Sequence, residues 1–336
     1  MKKHIYIYSP SGAVRDKAAF KRGLARLKAL GHEVEVDPDA LTSYQRFAGD
    51  DATRLAAIHR AAASGADVAL ISRGGYGLTR ILADIHYKQV AKAIDQGMAF
   101  VGISDFTAFQ SAVLAKTGAV TWSGPALCEG FGVGDQLDAN GHGSGATPVP
   151  DEIMEACFDD LLQGQGEGSG WRQTLDKRQN AIDSIAASTD LKRATGSFCI
   201  NNSMLWGGNL TVLTSLLGTP YFPDIKGGVL FLEDVAEHPY RIERMLTQLL
   251  HAGVLQRQKA LLLGQFTDYK LVSHDRGFKL QSVVDWVRQH SKLPVLTNLP
   301  YGHVQTKVLL PVGAKVDLSV DGRDAMLVWG HFGHHP

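Results

Sequence analysis

The sequence predicts an α/β protein, with a doubly wound parallel sheet in the first part and an α+β arrangement in the second. Two observations carry this. Short apolar runs alternate with amphipathic ones through the first 125 residues, the rhythm of βαβ units. Beyond Gly196, single strong strands and amphipathic helices follow in a mixed order and close on short β-like runs.

The elements read off in turn. His4 to Tyr8 is a first strand, and Asp16 to Leu30 a helix with Phe20, Leu24, Leu27 and Leu30 on one face and Gly31 as its C-cap. Glu33 to Val36, Asp51 to Ala63 and Val68 to Ser72 continue as strand, helix and strand. A helix is expected near Leu78 to Gln96, then a strand from Met98 to Ile103, a helix behind Ser104 and a strand near Ala119 to Trp122. This half, residues 1–130, reads as a flavodoxin-like domain.

After Pro125 glycines interleave with polar residues, and Gly164 to Gly170 repeats that character, so residues 131–195 read as a Gly-rich connection unable to supply a core. One amphipathic helix, Pro150 to Leu162, interrupts it. Residues 196–336 form the expected C-terminal domain, α+β and swivelling β-barrel-like. Its helices are Asn209 to Leu217, Pro239 to Ala252 and Leu280 to His290, with Pro239 suited to a first turn. Its strands are Val229 to Leu232, Ala260 to Gly264, Val308 to Leu310, Lys315 to Val320 and Met326 to Trp329.

Composition narrows the function classes. With 336 residues, 44% hydrophobic and 20% charged, a sizeable core is expected. The 34 basic and 34 acidic residues cancel, leaving no general field for nucleic acid or an anionic membrane. No apolar run approaches the roughly 20 residues of a membrane span. Lys2 and Lys3 precede too short an apolar segment for a signal peptide. Cys128, Cys157 and Cys199 are too few and too scattered for a disulfide framework or a zinc site. A cytoplasmic protein with reduced thiols is expected.

Four places could carry chemistry. In Val101-Gly102-Ile103-Ser104-Asp105 the serine leaves an apolar run just before a helix, so Ser104 is either a nucleophile on a strand-to-helix turn or a helix N-cap. Arg73-Gly74-Gly75-Tyr76-Gly77, at the carboxyl end of another strand, lets the backbone approach a ligand, or simply turns tightly. It fits neither GxGxxG nor GxxxxGK[ST]. In a doubly wound sheet both loops lie at the carboxyl edge. Glu233 and Asp234 end an apolar strand, where they are an acid for a site, a helix cap or solvated charge; alternation allows only one of them to face a given site. His303 follows Tyr301-Gly302 in a loop. His331, His334 and His335 read as a terminal tail rather than a metal site.

The order Ser104, Glu233, His303 matches the serine, acid, histidine order of α/β-hydrolases, although Gly102-Ile103-Ser104-Asp105-Phe106 lacks the last glycine of GxSxG. More of the chain resembles the LD-carboxypeptidase family of serine peptidases. The resemblance rests on Ser9-Pro10-Ser11-Gly12, Arg73-Gly74-Gly75-Tyr76-Gly77, Gly102-Ile103-Ser104-Asp105, Gly207-Gly208-Asn209-Leu210, Leu230-Phe231-Leu232-Glu233-Asp234 and Tyr301-Gly302-His303. It implies Ser104 as nucleophile, His303 as base and Glu233 as the acid orienting it. It further implies a backbone oxyanion hole from Gly75 and Asp105 and a homodimer. Arg73, Gly74 and Tyr76 are the candidate substrate contacts, with Arg73 open to a substrate carboxylate or to an ordinary salt bridge.

The expected reaction is hydrolysis of an L,D peptide bond, releasing C-terminal D-alanine from cytoplasmic murein tetrapeptides in peptidoglycan recycling, with no metal and no organic cofactor. Two alternatives stay open. A microcin-immunity-type peptidase would cleave a peptide-nucleotide amide and would need an aromatic to stack a base, for which Trp171 and Trp206 are available. A non-catalytic small-ligand binding protein would use Gly74 and Gly75 only as a cradle.

Overall fold

A computed structural model describes residues 2–134, 149–174 and 197–330. The first sheet has the order β11-β5-β4-β3-β1-β2, from β1 (His4–Tyr8), β2 (Glu33–Val36), β3 (Val68–Ile71), β4 (Ala99–Gly102), β5 (Thr121–Ser123) and β11 (Leu310–Val312). Read from the other edge, 2-1-3-4-5 is the flavodoxin order. Each of these five strands is parallel to its neighbours, with Tyr8 beside Ile71 and Leu70 beside Val101. β11 comes from the far end of the chain and pairs antiparallel with β5, Pro311 opposite Trp122. The two halves therefore share a sheet.

The second sheet runs β10-β9-β8-β7-β12-β13-β6. Its parallel part is β7 (Phe198–Asn209), β8 (Val229–Val235), β9 (Ala260–Thr267) and β10 (Val295–Leu296). Its antiparallel part adds β12 (Lys315–Asp321), β13 (Asp324–Val328) and β6 (Gly168–Arg172) to the other side of the long β7.

Helices α1 (Lys17–Ala29), α2 (Asp51–Ala63), α3 (Tyr87–Asp95) and α4 (Phe106–Thr117) connect the first five strands. α5 (Glu152–Gln163) lies in the connection, and α6 (Leu210–Ser215), α7 (Pro239–His251) and α8 (Leu280–Ser291) accompany the second sheet. Asp16 and Asp50 cap α1 and α2 by accepting backbone N–H groups.

α4 is buried on every side from Phe106 to Leu114. A helix that is apolar all round lies inside a protein rather than on its surface. One continuous buried cluster accordingly runs from Phe100, Phe106 and Phe109 to Leu210, Leu213 and Phe231 of the second half.

Three expectations need correction. The stretch from Leu78 to Gln96 is not one helix: two 3₁₀ turns, Leu78–Arg80 and Leu82–Asp84, precede α3. Leu78 gives its N–H to the Asp105 carboxylate, and the extended Ile85 then breaks the helical path. The Gly-rich stretch around Gly168 is strand β6, whose Trp171 is buried in the core. Backbone pairing with β13 supplies what its composition lacks. The segment after Pro125 forms a π-helical turn, Leu127–Phe131, a geometry frequent at functional sites.

Candidate active site

Ser104 stands where β4 turns into α4, at φ 67°. A non-glycine residue in the left-handed region is strained by about 1–3 kcal/mol and persists only where its surroundings fix it. Here the fixing contact is Gly74: a Cβ on that residue would lie 2.6 Å from Ser104 Cβ and 2.9 Å from its Oγ. The N-cap position of α4 belongs to Asp105, with no side-chain cap bond, and Thr107 N–H donates to the Ser104 carbonyl. The Ser104 hydroxyl is thus not spent on capping the helix.

Beside it, Gly75 takes φ 121°, a backbone conformation that a side chain would strain. Neither Gly75 nor Asp105 spends its backbone N–H on a hydrogen bond among the described residues. Free N–H groups flanking a nucleophile suit a developing oxyanion. The Asp105 side chain points into the protein, where its Oδ2 accepts from Ser11 Oγ at 2.5 Å and from Leu78 N at 2.9 Å. Burial raises its pKa, partly offset by these bonds and by the charge of Arg54.

Arg54, wholly buried on α2, donates to the Gly77 carbonyl at 2.8 Å and lies over the Phe47 ring. Gly12 N–H donates to the Gly74 carbonyl at 3.2 Å. The glycine loop is therefore clamped by the Ser9-Gly12 loop, by Arg54 and by Asp105. Arg73 tucks under this clamp: its Nη1 donates to Ala13 O at 3.2 Å and its Nε lies 3.7 Å from Glu129. Tyr76 points outward, 45% exposed, against Phe47 and beneath the Arg46 guanidinium.

Glu233 and His303 meet. His303 Nδ1 and Glu233 Oε2 lie 2.7 Å apart, and the Glu233 side chain is wholly buried. Burial opposes charge on the imidazole, but the hydrogen bond and negative charge of Glu233 outweigh it and hold the His303 pKa above the ordinary histidine value. Gly302 admits this approach, since a Cβ there would come within 3.3 Å of Glu233 Oε2. Asp234 turns the other way and accepts from Thr211 N, Thr211 Oγ1 and Asn209 Nδ2 at the start of α6. The strand alternation thus separates an acid for the base from an acid for a helix end.

Asn209, quoted in Gly207-Gly208-Asn209-Leu210 but given no role from the sequence, completes the site. Its Nδ2 also donates to Glu233 Oε1 at 3.1 Å, and its backbone N–H donates to Thr107 Oγ1 of α4 at 2.9 Å. Its sequence signal is its place in that motif, directly after the Gly207-Gly208 pair. Gly208, at φ 135°, lies so close to Thr107 that a Cβ would come within 2.5 Å of its Oγ1. A hydrogen-bonded path of short links therefore runs from the helix behind Ser104 to His303. No direct Ser104–His303 hydrogen bond is formed among the described residues. Such bonds commonly tighten only with substrate present.

Two further charges, neither singled out from the sequence, line the same place. Glu129, on the π-helical turn, keeps 46% of its side chain open to solvent beside Arg73. Lys307, on the His303 loop, is buried at 3% exposure. Burial lowers its pKa, offset in part by the charges of Glu129, Glu233 and Asp151. The two tryptophans have other work: Trp206 is 1% exposed and donates to Gln258, and Trp171, 9% exposed, donates to the Thr297 carbonyl. His331, His334 and His335 lie outside the described residues.

Family models of an LD-carboxypeptidase N-terminal domain and an LD-carboxypeptidase C-terminal domain match residues 5–124 and 202–318. A Bacillus subtilis protein named probable murein peptide carboxypeptidase is 28% identical over 318 residues, covering 94% of this chain and 88% of its own. The Escherichia coli microcin C7 self-immunity protein is 27% identical over 236 residues, 67% of this chain and 63% of its own. The crystal structure of muramoyltetrapeptide carboxypeptidase from Oxalobacter formigenes is similar at a TM-score of 0.80 and 35% identity, covering 98% and 99% of the two chains. A microcin self-immunity protein bound to glutamyl sulfamoyl guanosine shares the fold at a TM-score of 0.76 and 20% identity, covering 98% and 97%.

Proposed function

The chain belongs to the LD-carboxypeptidase family and is an enzyme of that kind; from this premise we propose that Ser104, His303 and Glu233 are its catalytic triad and that it releases C-terminal D-alanine from murein tetrapeptides. The observation that carries this reading is the 2.7 Å bond between His303 and the wholly buried Glu233. Thr107 and Asn209 tie that pair to the Ser104 turn.

In this mechanism His303 takes the Ser104 proton as the oxygen attacks the L,D peptide carbonyl. Glu233 holds the imidazole tautomer and stabilises its cation, and the N–H groups of Gly75 and Asp105 hold the tetrahedral oxyanion. His303 then gives its proton to the departing amine, freeing D-alanine. Water repeats the sequence on the acyl-serine and restores the hydroxyl. Loss of one oxyanion donor would cost about 10²–10³ in rate.

The family resemblance extends the proposal to a homodimer acting on recycled murein peptides in the cytoplasm. A peptide-nucleotide substrate is less well supported, because Trp171 and Trp206 are core residues with their N–H groups already engaged.

The test incubates purified protein with a murein tetrapeptide and the matching pentapeptide and follows both by mass spectrometry. Loss of one alanine from the tetrapeptide by wild type, absent in Ser104→Ala, is the expected result. No loss with wild type defeats the proposal.

A further inference from the structure

A carboxypeptidase must tell a chain end from an internal bond, and the only chemical mark of the end is its carboxylate. In the departing amino acid one carbon separates amine from carboxylate. The group that protonates the amine and the cation that holds the carboxylate must therefore be close neighbours.

Two cations, Arg73 and Lys307, lie near Glu129, whose charge also reaches His303. Arg73 is engaged, donating to the Ala13 carbonyl at 3.2 Å and facing Glu129 at 3.7 Å. Lys307 is different. It is 3% exposed, yet it forms no hydrogen bond and no ion pair among the described residues. The ammonium keeps a trace of solvent contact, but a charge so enclosed is poorly hydrated, and the nearby charges of Glu129, Glu233 and Asp151 compensate it only at a distance. Lys307 shares a loop with His303, and Val308 N–H donating to the Pro300 carbonyl at 2.9 Å closes that loop at its base. Both side chains are carried by that closed loop.

We propose that Lys307 is the carboxylate anchor of the site, its ammonium binding the terminal carboxylate of the departing D-amino acid. This rests on the carboxypeptidase reading and adds the residue that confines cleavage to the chain end. The fit is chemical as well as spatial: the substrate brings the anionic partner that the free protein does not supply, and the partner leaves with the product.

The experiment compares a tetrapeptide ending in a free carboxylate with the same peptide ending in a carboxamide, for wild type, Lys307→Met and Lys307→Arg. Methionine keeps most of the lysine stem's length and removes its charge. Wild type should prefer the free acid by about 10²-fold in kcat/KM, since losing one partner of a buried charge pair is a large penalty. In Lys307→Met that ratio should collapse towards one, because the free-acid rate falls far more than the amide rate, and Lys307→Arg should keep part of it. Equal losses on acid and amide, with the ratio intact, would overturn the proposal and leave Lys307 as a residue that merely positions His303. If Lys307→Met fails to fold by thermal denaturation, the neutral but polar Lys307→Gln decides the matter: a wild-type ratio in that variant would overturn the proposal. A wild type that cleaves neither peptide defeats the carboxypeptidase reading itself, a result distinct from an active wild type whose ratio ignores Lys307.

Discussion

Asn209 gives its backbone N–H to Thr107 Oγ1 at 2.9 Å, and so joins the helix behind Ser104 to the strand beside Glu233. Nucleophile and acid come from different sheets, and a hydrogen bond between buried groups fixes their separation more tightly than apolar contact alone, because each partner is costly to leave unpaired. The same Asn209 side chain accepts from Val212 N–H as the cap of α6 and donates to both Glu233 and Asp234. Helix end and catalytic acid are thereby placed by one residue.

Thr107→Val removes the acceptor while keeping the shape. The Asn209 N–H is then buried and unpaired, and stability should fall by about 1–3 kcal/mol in denaturant unfolding. Turnover should fall with it, and Thr107→Ser should restore both. Unchanged stability in Thr107→Val would remove the bridge from the account.

Glu233→Gln tests the acid through the pH profile. General-base action requires neutral His303, whose pKa Glu233 raises against the opposing effect of burial and the Lys307 charge. Activity in wild type should therefore rise with pH through a value above the ordinary histidine range. Without the carboxylate, burial remains and the acid limb should move to lower pH, while kcat drops by up to about 10⁴-fold. A limb that does not move would show that Glu233 does not set the proton affinity of His303.

Asp234→Asn provides the contrast. Asp234 Oδ2 accepts from both Thr211 N–H and Thr211 Oγ1, and Oδ1 from Asn209 Nδ2. An amide cannot accept at both ends, so stability should fall by about 1–3 kcal/mol with the pH limb in place. A shifted limb in this variant would transfer the acid's role from Glu233 to Asp234.

Gly74→Ala should separate folding from catalysis. The new Cβ would lie 2.6 Å from Ser104 Cβ, so the serine turn must shift. Circular dichroism should stay native-like while kcat/KM falls by about 10²-fold, the scale of a 1 Å misplacement of a catalytic group. Wild-type turnover in Gly74→Ala would mean that this contact does not hold the nucleophile.

The first five strands and their parallel pairing were legible because parallel strands buried on both faces must be apolar runs, and Val68–Ile71 and Ala99–Gly102 are such runs. Strand β6 was not, since Gly168–Arg172 owes its conformation to backbone pairing with β13 rather than to its own side chains. The same limit explains Lys307 and Glu129: a single lysine or glutamate carries no periodicity, and only burial without a partner, or a place beside Arg73, sets it apart.

By itself the sequence determined that a serine ends an apolar strand run in front of a helix, that a double-glycine loop ends another, and that an acid and a histidine follow in hydrolase order. Chain order and local pattern suffice for these, because a parallel sheet sends every such loop to one edge. Tertiary structure decided which of Glu233 and Asp234 reaches His303 and that Thr107 and Asn209 hold the two sheets in register. It also decided that the serine turn is held at φ 67° by a neighbour that must be glycine. These depend on contacts between residues tens to hundreds of positions apart, whose distances are fixed by packing and not by spacing along the chain.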